Sequence, residues 1–324
     1  MSYRLLLLCA WMVLGHGLSS AAPLTQETET AVFNAVIAHL ERDYVDPDIG
    51  ERAAAALKRA KADGQLTGQA DGRAYAHRLS SLLQTVSGDG HLNVEFTEAS
   101  ARGPDADFGA EEIERYYGAH INFGVQSVSR LDGNVGLLDL RVFAPIEMGA
   151  PTVSAAMNTL AHTDALIIDL RNNGGGMGDM ADLVASYLFG PERQPLTGVY
   201  DRPTDTLTQR FTQAFVPGDR FGPDKPVYVL ISSKTFSAAE ALAYNLQALD
   251  RAIIVGEVSG GGAHPFEYVP IHEHFVLWSV TAKSVNPITK SNWQGVGVQP
   301  DILASADNAL PAALNHLKQA HSDD

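Results

Sequence analysis

The sequence predicts an α/β fold with a largely parallel sheet, preceded by a small helical bundle. Three observations carry that expectation. From residue 151 onward, helical patterns alternate with short apolar runs, the mark of buried strands joined by helices. Residues 24–87 instead hold three amphipathic stripes. Between these regions the hydrophobic period shortens from that of a helix to that of a strand.

The chain opens with "MSYRLLLLCAWMVLGHGLSSAAPLTQ". Arg4 precedes an apolar run, Leu5 to Leu14, that is too short to span a membrane. Small residues follow at a cleavage position after Ala22, so residues 1–22 read as a secretory signal. Cys9 is the single cysteine and lies inside that segment. The mature chain is therefore expected to lack disulfides, thiolate chemistry and cysteine metal sites, and to reside in a periplasm or outside the cell. The formal charge of −15 becomes −16 once Arg4 is removed. That sign repels nucleic acid and anionic membrane surfaces, so neither is expected as a partner.

Residues 23–88 form the predicted bundle. "TAVFNAVIAHLERDYV" places Val32, Phe33, Val36, Ile37, Leu40 and Tyr44 on one face. The next helix opens with Asp46 as a cap and Pro47 at its first position, and stops at Gly64. The third carries Tyr75, Leu79, Leu82, Leu83 and Val86 on one stripe. Residues 89–324 form the predicted α/β part. "HLNVEF" alternates as a strand, and "GPDADFGAEEIERYYG" is a polar link. "VSRL-DGN-VGLLDL" is a hairpin around Asp132-Gly133. Then come "ALIIDL", "VYVLI" and "AIIVGE" as buried strands, with helices between them. Residues 201–226 are rich in proline and glycine and read as a loop that could cover a site. "FEYVPI" and "HFVLWSV" are hairpin-like strands near the end.

Three strand ends carry residues with chemistry. "DLRNNGGG" leads from a buried strand into three glycines, whose backbone amides are left open to hold an anion or an oxyanion; a plain tight turn is the alternative. Neither nucleotide-binding glycine pattern fits. "FSAAE" opens a helix after "VYVLI". Ser237 with Glu240 makes a capping box, the reading this segment alone favours; the alternative is a nucleophile on a strand-to-helix turn. A serine hydroxyl needs a base; His91, in "SGDGHLNV", is a candidate, although a histidine at a strand start is commonly a packing residue. His264, His272 and His274 lack the spacing of a zinc set, and Trp278 and Trp293 read as packing residues.

In order along the chain, "DGHLNV", "NFGVQSVSRLDGNVGLLDL", "DLRNNGGG", "FSAAEALAYNLQ", "VGEVSGGGAHP", "KSVNPIT" and "SNWQGVGVQPDI" resemble the tail-specific (C-terminal-processing) serine peptidases. The resemblance is greatest to the branch with interphotoreceptor retinoid-binding protein and the tricorn protease core. It covers nearly all of the mature chain. It implies a crotonase/ClpP-like β-α superhelix, Ser237 as nucleophile, and an oxyanion hole from the amides of Ala238 and of Gly175 or Gly176. Where the tail-specific enzymes carry a base lysine, this chain has Gly261, Gly262 and Ala263. His91 matches the histidine base of the tricorn-like branch, and Gln294 stands where that branch has an orienting glutamate. An amide oxygen can still accept from an imidazole N–H; Glu257 or Glu267 are alternatives. Only about thirty residues separate "HLNV" from "INFGV", too few for the family's usual PDZ module. The resemblance implies polypeptide substrates and no metal or organic cofactor. A non-catalytic relative that binds apolar ligands or peptides is the second expectation.

Overall fold

The structure is a computed structural model describing residues 24–98, 100–101 and 110–322; the expected signal segment lies outside the described residues. In chain order the first elements are α1 (Gln26–Arg42), α2 (Pro47–Ala62), α3 (Gly72–Ser87), β1 (Asn93–Phe96) and α4 (Ala110–Tyr117). Then follow β2 (Val125–Leu131), β3 (Val135–Leu140), α5 (Ile146–Leu160), β4 (Ala165–Asp169), α6 (Gly178–Ser186), β5 (Pro195–Asp201) and β6 (Thr206–Phe211). The last are β7 (Val227–Ile231), α7 (Ala238–Ala248), β8 (Ile253–Gly256), β9 (Glu267–His272), β10 (Phe275–Ser279), β11 (Ala282–Val285), β12 (Ile302–Leu303) and α8 (Ala309–Ser322).

The three helices of the N-terminal bundle start where their caps dictate. Asp46 accepts the Ile49 N–H at 3.1 Å and Asp71 accepts the Ala74 N–H at 2.9 Å, each satisfying a donor that the first turn leaves open. The bundle does not close on itself. Its core of Val36, Leu40, Leu57 and Leu79 continues into Phe275 and Leu277 of β10, within the antiparallel sheet β1-β10-β9.

The central sheet has the order β12-β8-β7-β4-β3-β2. All neighbours in it are parallel except the β2–β3 hairpin. β4 and β7 are buried at every residue, as strands covered on both faces must be. Their alternate residues serve different cores. Leu166 and Ile168 pack with α5, α6 and α7, whereas Ala165 and Ile167 pack with Ala309, Ala313 and Leu317 of α8.

Two expectations are corrected. The polar link holds helix α4, and the proline-rich segment 201–226 contains β6, which pairs with β5 in the sheet β11-β5-β6. Both elements are largely exposed, so neither shows the apolar period by which buried elements are recognised.

Candidate active site

β4, β7 and β8 run parallel, so their C-terminal ends share one edge of the sheet. Of the loops that leave this edge, 170–176 and 232–237 contain two of the chemistry-bearing segments, and 257–264 contains the glycine turn that ends at His264; the His91 segment reaches the edge from outside the sheet, between α3 and β1. Ligand sites in open α/β sheets form at such edges.

Ser237 joins β7 to α7 at φ 54°, ψ −120°. A residue with a side chain pays on the order of 1–3 kcal/mol to sit in such a region, and a strained serine on a strand-to-helix turn has the geometry of a nucleophile elbow. Neighbouring groups hold the turn. The Phe236 N–H donates to Asn173 O at 3.1 Å, and the Ser237 N–H donates to Glu240 Oε2 at 2.9 Å. The capping box is present, and its carboxylate half helps to fix the strained turn.

Glu240 is fully buried. Its carboxylate also accepts from Ser259 Oγ at 2.5 Å, the Gly261 N–H at 2.6 Å and the Gly262 N–H at 2.8 Å. Burial pushes its carboxyl above the usual range, against the pull of these donors. One side chain therefore ties the elbow to loop 257–264. Trp293 secures the same loop by donating from Nε1 to Gly262 O at 3.0 Å.

Gly175 lies against the elbow: a methyl group there would stand 2.7 Å from Ser237 Cβ and 3.1 Å from Ala238 N. Its φ of 108° also requires glycine. The expected oxyanion donors are partly corrected by Asn173. This fully buried side chain donates to Leu140 O at 3.0 Å and accepts the Gly175 N–H at 2.8 Å. Gly175 therefore shapes the loop while its own amide is occupied. The Gly176 and Ala238 N–H groups make no hydrogen bond among the described residues.

The histidine side is built differently. Gly88 closes α3 in a left-handed conformation at φ 68°, and Asp89 Oδ1 accepts the His91 N–H at 3.0 Å. The His91 ring packs between Phe236, 4.7 Å away between ring centres, and Phe266, 5.2 Å away. Phe236 immediately precedes Ser237, so His91 and the elbow come together across 146 positions of sequence. Burial lowers the His91 pKa to about 4, with Asp89 raising it and His264 lowering it further. Its Nδ1 is buried and unpartnered.

Gln294 does not orient that ring. Its Oε1 accepts the Ala263 N–H at 2.8 Å and its Nε2 donates to Gly88 O at 3.3 Å. The amide bridges two loops, and its acceptor is already engaged. Glu257 is likewise occupied, accepting from Ser233 N at 3.3 Å and Ala306 N at 3.1 Å, while Glu267 is exposed at the start of β9. The carboxylate that does meet a histidine is Asp89, whose Oδ2 is 2.8 Å from His264 Nδ1 and 2.9 Å from the Tyr44 hydroxyl. Sequence reasoning missed Asp89, although it stands two residues before His91, and weighed His264 only as a metal ligand. No cluster of three metal-ligating side chains occurs among the described residues.

Peptidase family S41 matches residues 134–304, just over half of the chain and all three loops of the site; the chain belongs to this family. A carboxy-terminal-processing protease of Bartonella bacilliformis is 31% identical over 180 residues, which are 54% of this chain and 39% of that protein. Carboxyl-terminal-processing peptidase 3, chloroplastic, of Arabidopsis thaliana is 25% identical over 74% of this chain and 45% of its own length. The chain thus spans less than half the length of these relatives. In fold it resembles a protein of Parabacteroides merdae, with a TM-score of 0.62 at 19% identity over 89% of this chain and 96% of the other. It also resembles the photosystem II D1 C-terminal processing protease, with a TM-score of 0.51 at 15% identity over 88% and 94%.

Proposed function

We propose that the chain is an exported serine peptidase that cleaves polypeptides through an acyl-enzyme. The observation that carries this is the strained Ser237 elbow, seated against Gly175 with the Gly176 and Ala238 amides unspent beside it. Ser237 Oγ attacks the scissile carbonyl as His91 Nε2 accepts its proton. The Gly176 and Ala238 N–H groups receive the oxyanion, and donors already fixed in place need no reorganisation as charge develops. His91 then returns the proton to the leaving amine, and water hydrolyses the ester by the reverse sequence. A histidine base is in keeping with the tricorn-like branch. A buried, neutral imidazole is ready to accept a proton, and its low pKa keeps it neutral well below pH 7.

Export rests on the charge, apolar run and small residues of the first 22 positions. Among the described residues no helix is long and apolar enough to cross a membrane. Hydrolysis of a casein or of peptides with free C-termini tests the proposal. The wild type is expected to turn over and Ser237→Ala to lose at least ~10³-fold in kcat/KM while keeping its Tm within a few degrees. Equal turnover by the two proteins would reduce Ser237 to a helix cap and favour a binding protein.

A further inference from the structure

His91 alone is an incomplete base. Its ring faces are held by Phe236 and Phe266, but nothing fixes which nitrogen carries the proton, because Nδ1 has no partner. A general base opposite a serine needs Nε2 free as an acceptor, and therefore Nδ1 protonated and bonded. Gln294 does not supply that bond.

Beside His91 stands a second histidine with the complementary arrangement. Asp89 is buried, and its carboxylate gathers His264 Nδ1, the Tyr44 hydroxyl and the His91 backbone N–H. Burial alone would raise the Asp89 carboxyl; the bonds from His264, the His91 backbone and Tyr44 outweigh it and hold the group below its ordinary range. An ionised carboxylate only accepts. His264 Nδ1 therefore donates, and in the neutral imidazole that leaves Nε2 as the acceptor. That Nε2 makes no hydrogen bond among the described residues. The loop bearing His264 is anchored to the elbow, through Gly261 and Gly262 on Glu240. Asp89 brings the two histidines together, its Oδ1 taking the His91 backbone N–H at 3.0 Å and its Oδ2 meeting His264 Nδ1 at 2.8 Å.

We propose that the Asp89–His264 pair takes the place of the missing glutamate, with His264 Nε2 accepting the His91 Nδ1–H when substrate occupies the site. This deepens the serine-peptidase proposal and rests on it. His264 is a positioning residue: it fixes the His91 tautomer and carries the influence of the Asp89 charge to the imidazolium that forms when Ser237 gives up its proton. The proton still travels from Ser237 Oγ to His91 Nε2 and on to the leaving amine; no net transfer reaches His264 or Asp89.

The test compares wild type, His264→Ala, His264→Gln and Asp89→Asn on one peptide substrate from pH 5 to 9. His264→Ala and Asp89→Asn are expected to lose about 10²-fold in kcat, with KM within about threefold. The acid limb of Asp89→Asn should move to lower pH, because the charge that favours the His91 imidazolium is removed. His264→Gln, which keeps an acceptor, should fall between. A folded His264→Ala with the kcat and pH profile of the wild type overturns the proposal, as does a loss confined to KM. Should the variants unfold, the ring-nitrogen NMR spectrum of the wild type, phosphonylated on Ser237, decides. A hydrogen-bonded His91 Nδ1 proton supports the proposal, and an Nδ1 without a proton overturns it. Absence of Ser237-dependent turnover in the wild type is a separate result and removes the peptidase proposal itself.

Discussion

The Ser237 half and the His91 half of the site are built on opposite principles. Around Ser237, the backbone is held by buried acceptors: Asn173 O on Phe236, Glu240 on Ser237 and on the next loop. Around His91, contact is mostly with aromatic faces, and one ring nitrogen has no partner. Strain at an elbow persists only where its surroundings over-determine it, so the first half must be rigid before substrate arrives. The second half must gain a hydrogen bond, which an apo site can complete on binding.

The sharpest way to break the rigid half is Gly175→Ala. The added methyl would collide with Ser237 Cβ and force φ 108° on a residue with a side chain. Displacing the elbow and the adjoining amides should lower kcat/KM by about 10²-fold or more. The fold should lose only ~1–3 kcal/mol. Steady-state kinetics beside thermal melts separate the two effects.

Glu240→Gln probes the bond between the halves. The carboxylate accepts four hydrogen bonds in a fully buried setting, and an amide nitrogen in place of either oxygen would face N–H or O–H donors. Leaving such donors unpaired costs about 1–3 kcal/mol each. Denaturant unfolding should show a loss of roughly 2–4 kcal/mol, with kcat falling because Ser237 and the His264 loop are released together.

The pH response addresses the histidine half. Burial lowers both His91 and His39 to about 4. Each is neutral in the fold above that pH, whereas in the unfolded chain each charges below about 6.5. Between those values the unfolded chain binds more protons, so stability falls as pH drops from about 6.5 to about 4 and is insensitive to these groups above that window. The combined loss should be roughly a few kcal/mol by pH 4.5, read as a falling Tm. His39→Gln should remove part of the slope without altering kcat, since His39 belongs to α1 and the bundle core.

Gln294→Glu should have the smallest effect. A carboxylate can still accept the Ala263 N–H, but it loses the 3.3 Å bond to Gly88 O. A change in kcat/KM of less than about tenfold is expected. A large gain would show that residue 294 reaches His91 after all, and that the histidine half is completed from that side.

The parts of the site legible in the sequence are those with local signatures. A buried strand, a glycine run or small residue, and then a helix marked the loops that hold Gly176, Ser237 and Ala238, because each signal lies within a few residues. The cap Asp46 was legible for the same reason. Asp89 and His264 were not, since they meet across 175 positions and neither lies in a periodic pattern. Of the two glycines offered as amide donors, Gly175 could not be set apart in the sequence; only the Asn173 side chain shows that its amide is already spent. β6 escaped notice as an exposed edge strand, where no apolar face is required.

Covalent labelling tests the central claim most directly. Wild-type protein would be incubated with a fluorophosphonate and the adduct located by peptide mass spectrometry. A nucleophile elbow with free oxyanion donors predicts a single adduct on Ser237, formed stoichiometrically, blocking peptide turnover, and absent from Ser237→Ala. A folded wild type that remains unlabelled, or an adduct elsewhere that blocks turnover equally well, would contradict the assignment of Ser237 as the nucleophile.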